Sequence, residues 1–381
     1  MSKIRVAQGS FAIIPDDLGD VALSPEYPTF EIDTSLADPG YLELALRSQK
    51  ALGQLRPSGN TTKQRVTPDK LLGVTIPCPG IDDQRTLVAA HRDAAARAAA
   101  LEAEAAVLEA DGLRAFEAAL GVVPPPPVPD RPLFVARFSD LGRWSHEAVL
   151  RRVTGAEPTP SPHPVVALGE VVADLSVGYS PRCLTEPAEN DGWGVLKLSA
   201  VTSGQFAPHA NKAVRSPGDV RPGLQVKAGN VLIARGSGVT RFVGAACMVT
   251  EHRSRLLLSD LIFRVDFGTG NAIVPEFLTC VLGTPTVRRQ IEETRTGAAP
   301  GIQKTTKGAL LRVTFPMPTD LAVQAALAAD LAAARAAAAD RRDRAAITRR
   351  DAWRAFETAV YGDAVEPPLM EEQRDEVEDE V

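Results

Sequence analysis

The chain has 381 residues with 44% hydrophobic positions, enough for about two or three folding units, since single domains run to about 100 to 200 residues. Its formal net charge of −6 argues against a uniformly basic nucleic-acid binder, and Cys78, Cys183, Cys247 and Cys280 form no C-x-x-C pair that would point to zinc or to a disulfide framework. No run approaches the roughly 20 apolar residues of a membrane span and no signal-peptide segment opens the sequence, so a cytoplasmic location with no membrane partner is expected.

The charge is unevenly spread. Residues 165–319 carry 17 Lys or Arg against 12 Asp or Glu, whereas 364–381 carry eight acids and one Arg, so the middle is basic and the end is a solvated acidic tail. In chain order, 1–79 reads as a mixed module with an amphipathic helix over 41–55 and a strand end at Ile76-Pro77-Cys78-Pro79. A proline-set turn there leads into a rod over 81–120, free of proline and dominated by Ala, Leu, Glu and Arg. Leu87, Ala94, Leu101 and Leu108 recur along it every seven residues, the period of a coiled-coil seam. Residues 122–164, with Pro124-Pro125-Pro126-Pro127, read as a stiff connector with one patterned piece at 133–154.

Short β-branched runs follow at 165–175, 194–198, 230–235, 244–250 and 261–266, bounded by Gly, Pro, Ser and Asp, the pattern of a curved antiparallel sheet. An amphipathic helix is expected over 276–293. Phe315-Pro316-Met317-Pro318 then leads into a second proline-free rod over 321–360, whose poorer seam is Leu327, Leu331, Ile347, Trp353, Phe356 and Val360. At about 1.5 Å per residue each rod should be roughly 60 Å long.

An internal repeat organises these elements. Leu71-Leu72-Gly73-Val74-Thr75-Ile76-Pro77-Cys78-Pro79 recurs as Leu310-Leu311-Arg312-Val313-Thr314-Phe315-Pro316-Met317-Pro318. Downstream, Gln84 matches Gln324 and Arg114-Ala115-Phe116-Glu117 matches Arg354-Ala355-Phe356-Glu357, with equal spacing in both copies. Upstream, Tyr41-Leu42 parallels Phe277-Leu278, Phe30 to Asp33 parallels Phe263 to Asp266, Gly59 to Lys63 parallels Gly301 to Lys307, and Gln8-Gly9-Ser10 parallels Arg235-Gly236-Ser237. The unit of repetition is a globular module followed by a rod.

In this arrangement, residues 1–362 resemble the specificity (S) subunits of type I restriction-modification systems. The pieces that carry the resemblance, in order, are Leu168-Gly169-Glu170-Val171, 194–198, Ala228 to Ile233, 256–265, the loop 297–307, and Pro316 to Gln324. The resemblance implies an α+β fold with two target-recognition modules, each a curved β-sheet plus short helices followed by a long helix, the two long helices pairing as an antiparallel coiled coil. The corresponding boundaries are a partial first recognition domain at 1–79, a first long helix at 80–121, the connector at 122–164, a second recognition domain at 165–319, a second long helix at 320–362, and an acidic disordered tail at 363–381.

The same resemblance implies a non-catalytic reader of a bipartite site in double-stranded DNA. It would position two modification (methyltransferase) subunits that methylate adenine, together with restriction subunits, with the rods setting the gap between half-sites. S-adenosylmethionine, ATP and Mg would belong to those partners, and none to this chain. One departure stands out. Because Gly9 corresponds to Gly236, the stretch 165–229 has no counterpart in the first module. That module is expected to lack its first half, through a truncated or misassigned start or because another chain supplies it, and to leave apolar surface uncovered.

Candidate DNA contacts are polar and basic loop positions: Ser180, Arg182, Lys197, Arg235, Ser237, Thr240, Arg241, Gln303, Lys304, Thr305, Thr306 and Lys307 in the second module, and Gln8, Ser10, Thr61, Thr62 and Lys63 in the first. Arg and Lys suit guanine and Gln suits adenine; taken singly, each reads first as an ordinary surface residue. Gly301 to Lys307 leads these candidates, because glycine allows close backbone approach and Thr-Thr-Lys recurs at 61–63, although a turn into a strand would use the same residues. The other reading is a coiled-coil scaffold whose modules bind protein, which accounts for the rods and the acidic balance but not for the basic second module. Enzyme readings find little. There is no Asn-Pro-Pro-aromatic motif and no G-x-x-x-x-G-K-[ST], Phe267-Gly268-Thr269-Gly270 reads as a turn, and Pro68-Asp69-Lys70 lacks a second carboxylate. His91, His146, His163, His209 and His252 show no metal-ligand spacing.

Overall fold

The computed structural model describes residues 10–14, 16–19, 22–55, 66–122, 130–131, 133–138, 146–154, 161–189, 191–250, 253–270, 272–295 and 301–362. Gln8, Thr61, Thr62, Lys63, His252, the acidic tail and much of the connector lie outside them. The helices are α1 (Pro39–Arg47), α2 (Gln49–Leu55), α3 (Pro68–Leu72), α4 (Ile81–Ala119), α5 (His146–Thr154), α6 (Leu168–Val171), α7 (Ser199–Thr202), α8 (Pro275–Leu282), α9 (Pro285–Glu293), α10 (Lys307–Leu311) and α11 (Leu321–Tyr361). The strands are β1 (Val165–Ala167), β2 (Asp174–Val177), β3 (Gly194–Leu196), β4 (Asn211–Ala213), β5 (Val231–Ala234), β6 (Gly236–Ser237), β7 (Ala246–Met248), β8 (Leu256–Leu257), β9 (Ile262–Asp266), β10 (Gln303–Lys304) and β11 (Thr314–Pro316).

Both rods are helical, at 39 and 41 residues. They are close in length but not equal. Each runs into a glycine of positive φ, Gly121 at 69° and Gly362 at 78°, a conformation that ends helices because glycine has no Cβ to clash there. The buried line of each rod keeps part of the expected seam, with Ala94 in α4 and Leu331 and Phe356 in α11 buried, and departs from the rest of it. In α4 it passes through Gln84, Val88, Ala94, Ala98 and Ala105, and Leu87, Leu101 and Leu108 stay half-buried beside it. In α11 it passes through Gln324, Leu331, Ala338 and Ala345, while Ile347 is 44% exposed. Small residues on the inner line let backbones approach closely, and in α4 Leu87, Leu101 and Leu108 cover its flank. By length and composition alone α11 is long and apolar enough to cross a membrane, although Gln324, Asp330, Arg335 and Asp340 interrupt its apolar run. Its alanines score as apolar yet each offers little surface to bury.

The described chain forms two compact units, one drawing on positions up to Leu108 and from Ala336 onward, the other on those between Glu109 and Arg335. Each therefore takes in part of α4 and part of α11. In the first unit, Asp38 caps α1 by accepting from the Tyr41 amide, and Pro39 sits in the first turn, where its missing N–H costs nothing. Tyr41, Leu44 and Ala45 pack on Val88 of α4 and Phe356 of α11. Glu104 meets Arg341, and Glu102 forms a two-pronged pair with Arg349. This unit leaves Leu18, Leu36 and Leu72 more than half exposed.

The second unit holds the larger core. Its four-stranded sheet runs β2-β9-β5-β7, antiparallel throughout. A three-stranded sheet β4-β3-β8 is mixed, because β3 and β8 are parallel, so the expected single antiparallel sheet is split. The run 165–175 is also interrupted. Glu170 accepts from the Ala167 amide at 3.0 Å and stabilises the single turn α6 between β1 and β2. Phe116 of α4 packs on Phe277 of α8 with ring centroids 5.7 Å apart, as Tyr41 packs on Phe356 at 5.8 Å in the first unit. A Cβ on Gly112 would fall 2.5 Å from the Cβ of Ala334, so α4 and α11 touch nearly backbone to backbone there.

The repeat is reproduced bond for bond. Gln84 and Gln324 are fully buried. Gln84 accepts from the Asp38 amide at 2.8 Å and donates to the Pro79 and Leu36 carbonyls; Gln324 accepts from the Val274 amide at 2.8 Å and donates to the Pro318 and Ala272 carbonyls. Gln54 brackets Thr75 as Gln290 brackets Thr314, through both backbone groups and the hydroxyl. The helices expected over 41–55 and 276–293 each break in two. Ser48 and Thr284 turn their hydroxyls back to the carbonyls three residues before, Ala45 at 2.7 Å and Val281 at 2.8 Å, and take extended backbone. A hydroxyl bonded this way competes with the helical ladder.

Candidate nucleic-acid interface

The best-built part of the candidate surface is where β6 meets β10. The chain leaves the central strand β5, and Arg235 carries it into Gly236 and Ser237, which pair antiparallel with Lys304 and Gln303. The pairing needs Gly236. A Cβ there would lie 2.8 Å from Lys304 Cγ and 3.1 Å from the Gln303 carbonyl. The Thr305 amide extends the pairing by donating to the Arg235 carbonyl at 2.8 Å. The Thr306 hydroxyl then accepts from the Ala309 amide at 3.1 Å and starts α10, a side-chain cap of the kind that satisfies an otherwise unpaired helix amide.

Gln303 is half-buried and its side chain is held. Its Oε1 accepts from Arg295 Nη1 at 2.7 Å and from the Thr240 hydroxyl at 3.3 Å. Arg295 is fixed in turn, its Nε donating to the Glu292 carbonyl at 3.1 Å. Arg288 Nη2 donates to the Arg241 carbonyl at 2.6 Å, with its charged form disfavoured by burial. Thr240, Arg241, Gln303 and Lys304 thus come together with two arginines of the α9 region that the sequence reading passed over. Arg288 lies within α9 and Arg295 just beyond its C-terminal cap Thr294, so their sequence spacing alone does not signal that they meet.

Several candidates serve the fold. Ser237 is 4% exposed and Thr305 1%; the Ser237 hydroxyl accepts from the Val239 amide at 3.0 Å. Arg235 lies over the Phe263 ring and donates to the Asp260 carbonyl at 3.1 Å, while Ser180 bonds the Asp260 carboxylate. Ser180 and Arg235 are thereby joined through one aspartate that sequence reading did not single out. Lys307 pairs with Asp174, whose carboxyl is held below its ordinary range by that bond. Arg182 is exposed and Lys197 half-buried. Their backbones bond Arg215 and Ala210, around the three-stranded sheet and away from the Gln303 group. Ser10 is half-buried in the first unit.

The expected match of Thr61, Thr62 and Lys63 to the 305–307 loop shifts. In the first unit the threonine that caps the short helix before the paired leucines is Thr67, accepting from the Lys70 amide as Thr306 does from Ala309. With Leu71 aligned to Leu310, the counterpart of Lys307 is Pro68, so the lysine is not repeated. A further basic feature also escaped the sequence reading. Arg221 stacks on the Tyr179 ring, 3.7 Å from its centroid, beside Arg264, which donates to the Gln225 and Gly223 carbonyls. Arg264 also lines an open cleft of about 300 Å³ with Ser176, Asn230, Asp266 and Phe267. Among the described residues no group of three or more His, Cys, Asp or Glu side chains is placed to hold a metal ion.

No protein-family model matches the chain. A stretch of 133 residues, 35% of the chain, is 33% identical to the type I restriction enzyme EcoEI specificity subunit of Escherichia coli and spans 22% of that protein's length. Among solved structures, the HsdS subunit from Thermoanaerobacter tengcongensis is 20% identical with a TM-score of 0.35, over 86% of this chain and 71% of that one. The type I restriction-modification system S subunit from M. genitalium is 12% identical with a TM-score of 0.44, over 85% of this chain and 74% of that one.

Proposed function

We propose that this chain, a relative of the type I restriction enzyme specificity subunits, reads DNA sequence for a type I restriction-modification complex and is itself non-catalytic. The observation that carries the reading is the 33% identity over 133 residues to the Escherichia coli specificity subunit. The internal repeat supports it. Two modules, each locked to the start of its own rod by the same buried glutamine, suit a target read in two parts. Phosphate contacts would position each module and base-edge contacts would specify the sequence.

Under this reading the two rods pair as an antiparallel coiled coil. The contacts inside each unit favour it, since α4 positions 91, 104 and 112 meet α11 positions 353, 341 and 334, the second index falling as the first rises. A paired rod of fixed length would set the number of unread base pairs between half-sites. The partners would be double-stranded DNA, two modification subunits that bind S-adenosylmethionine and methylate adenine, and restriction subunits that use ATP and Mg, all in the cytoplasm. The test is to co-express the chain with a type I modification subunit from the same genome and map methylated adenines genome-wide. A two-part motif with a fixed gap is expected. An assembled, active methyltransferase that marks no such motif overturns the reading.

A further inference from the structure

Glutamine in the major groove ordinarily suits adenine, because its amide oxygen accepts from N6 while its amide nitrogen donates to N7. Gln303 is not free to do this. Its Oε1 is taken by Arg295 Nη1 at 2.7 Å and by the Thr240 hydroxyl at 3.3 Å. The orientation does not depend on telling oxygen from nitrogen. A guanidinium can only donate, so the end of the amide that faces Arg295 must be the oxygen. Arg295 is itself pinned to the Glu292 carbonyl at 3.1 Å, and Gln303 is fixed along its backbone by pairing with Ser237, with Gly236 letting the two strands close. The amide NH2, at the opposite end of the same planar group, is what remains to meet a base.

We infer that Gln303 reads DNA as a donor only, with Arg295 and Thr240 as the residues that orient it, and that it selects guanine over adenine. The inference rests on the proposed function. Guanine presents two adjacent acceptors, N7 and O6, to an NH2 group, whereas adenine sets its N6 donor beside its single N7 acceptor and needs the amide oxygen that Arg295 holds. Arg295 is a positioning residue here, acting on the base through Gln303.

The test is the methylation map of the assembled complex, repeated with three variants whose thermal midpoints are measured alongside. The wild-type chain should give a motif with guanine at one position that depends on Gln303. Gln303→Glu keeps an acceptor for Arg295 but turns an acceptor to the base, and should swing that position towards cytosine, which offers an N4 donor, by roughly tenfold. Gln303→Met, uncharged and of similar length, should flatten the preference and serves if the glutamate variant is unstable. Arg295→Met removes the donor that dictates the amide's orientation and leaves only the Thr240 hydroxyl, which can donate or accept, so the amide can turn and adenine should be admitted at the same position, a shift that a purely structural arginine would not cause. A sharp wild-type motif that none of the three changes at any position, or whose Gln303-dependent base is adenine, overturns the inference and leaves the proposed function standing. A wild-type complex that is active but has no motif overturns the proposed function itself.

Discussion

Replacing Gln324 by alanine should damage the second unit and spare the first. The side chain is fully buried and joins three backbone groups, the Val274 amide at 2.8 Å, the Pro318 carbonyl at 2.8 Å and the Ala272 carbonyl at 3.3 Å. Removing it leaves the part-buried Val274 amide and the buried Pro318 carbonyl without partners, at about 1–3 kcal/mol each. With water entering the space to recover part of that, a loss of roughly 2–5 kcal/mol is expected. Hydrogen exchange read by mass spectrometry should locate the loss. The amide of Val274 should exchange faster by a factor matching the drop in stability, while that of Asp38 keeps its protection, and Gln84→Ala should do the reverse. Gln324→Glu adds a pH signature. Only the protonated acid can donate to the Pro318 carbonyl, so its pKa in the folded chain rises above the unfolded value of about 4.3. The stability it retains is full below that value and is lost as pH rises through the folded pKa. Unchanged protection at Val274 in Gln324→Ala, or equal loss in both units, would refute the reasoning.

The rods and the repeat were legible because their signals are local: no proline, strong helix formers, and a sequence recurring in register. The glutamines at 84 and 324 were visible as a matched pair, but their bonds were not, since their partners lie as far as 52 residues away in the chain. The breaks at Ser48 and Thr284 were hidden for a different reason. A hydroxyl bonding back to its own helix leaves the apolar periodicity intact, so the pattern alone reads through it. The inner line of each rod was only partly legible, Ala94, Leu331 and Phe356 being buried as expected, because periodicity marks large apolar residues, whereas closeness of approach is decided by small ones such as Ala98, Ala105 and Gly112.

At the candidate interface, residue type and loop position drew attention to Thr240, Arg241, Gln303 and Lys304, which the structure does bring together with Arg295. Residue type could not separate these from Ser237 and Thr305, which are buried, or from Lys307, which is paired with Asp174. The distinction depends on what each side chain faces across the sheet. The order of bases that Gln suits, taken from residue type alone, is likewise altered once Arg295 is seen to hold the amide oxygen.

Three further outcomes are expected. Gly112→Ala gains about 1 kcal/mol of helix propensity, yet its Cβ would sit 2.5 Å from that of Ala334, so a net loss of about 1–3 kcal/mol from overpacking is expected in urea unfolding; a stabilised variant would show that the helices separate freely at that point. Arg349→Ala removes the pair with Glu102, both side chains more than 40% exposed, and should cost under about 1 kcal/mol at low salt and less at high salt. The third concerns pH. His91 stands edge-on to Trp353 and Phe356, at 6.0 and 6.4 Å between ring centroids, and burial, then Arg47, lowers its pKa from the ordinary 6.5 against a smaller opposing effect of Glu43. The unfolded chain therefore takes up a proton at this residue before the folded chain does. Above the unfolded value both forms are neutral and His91 contributes its full stability; as pH falls through 6.5 that contribution is lost, until the folded pKa is reached and the slope ends. His91→Leu should remove this part of the slope, measured as the unfolding free energy of the chain between pH 7.5 and 5. If the slope in that window survives the substitution, the titrating group is elsewhere and the aromatic contacts of His91 do not require its neutral form.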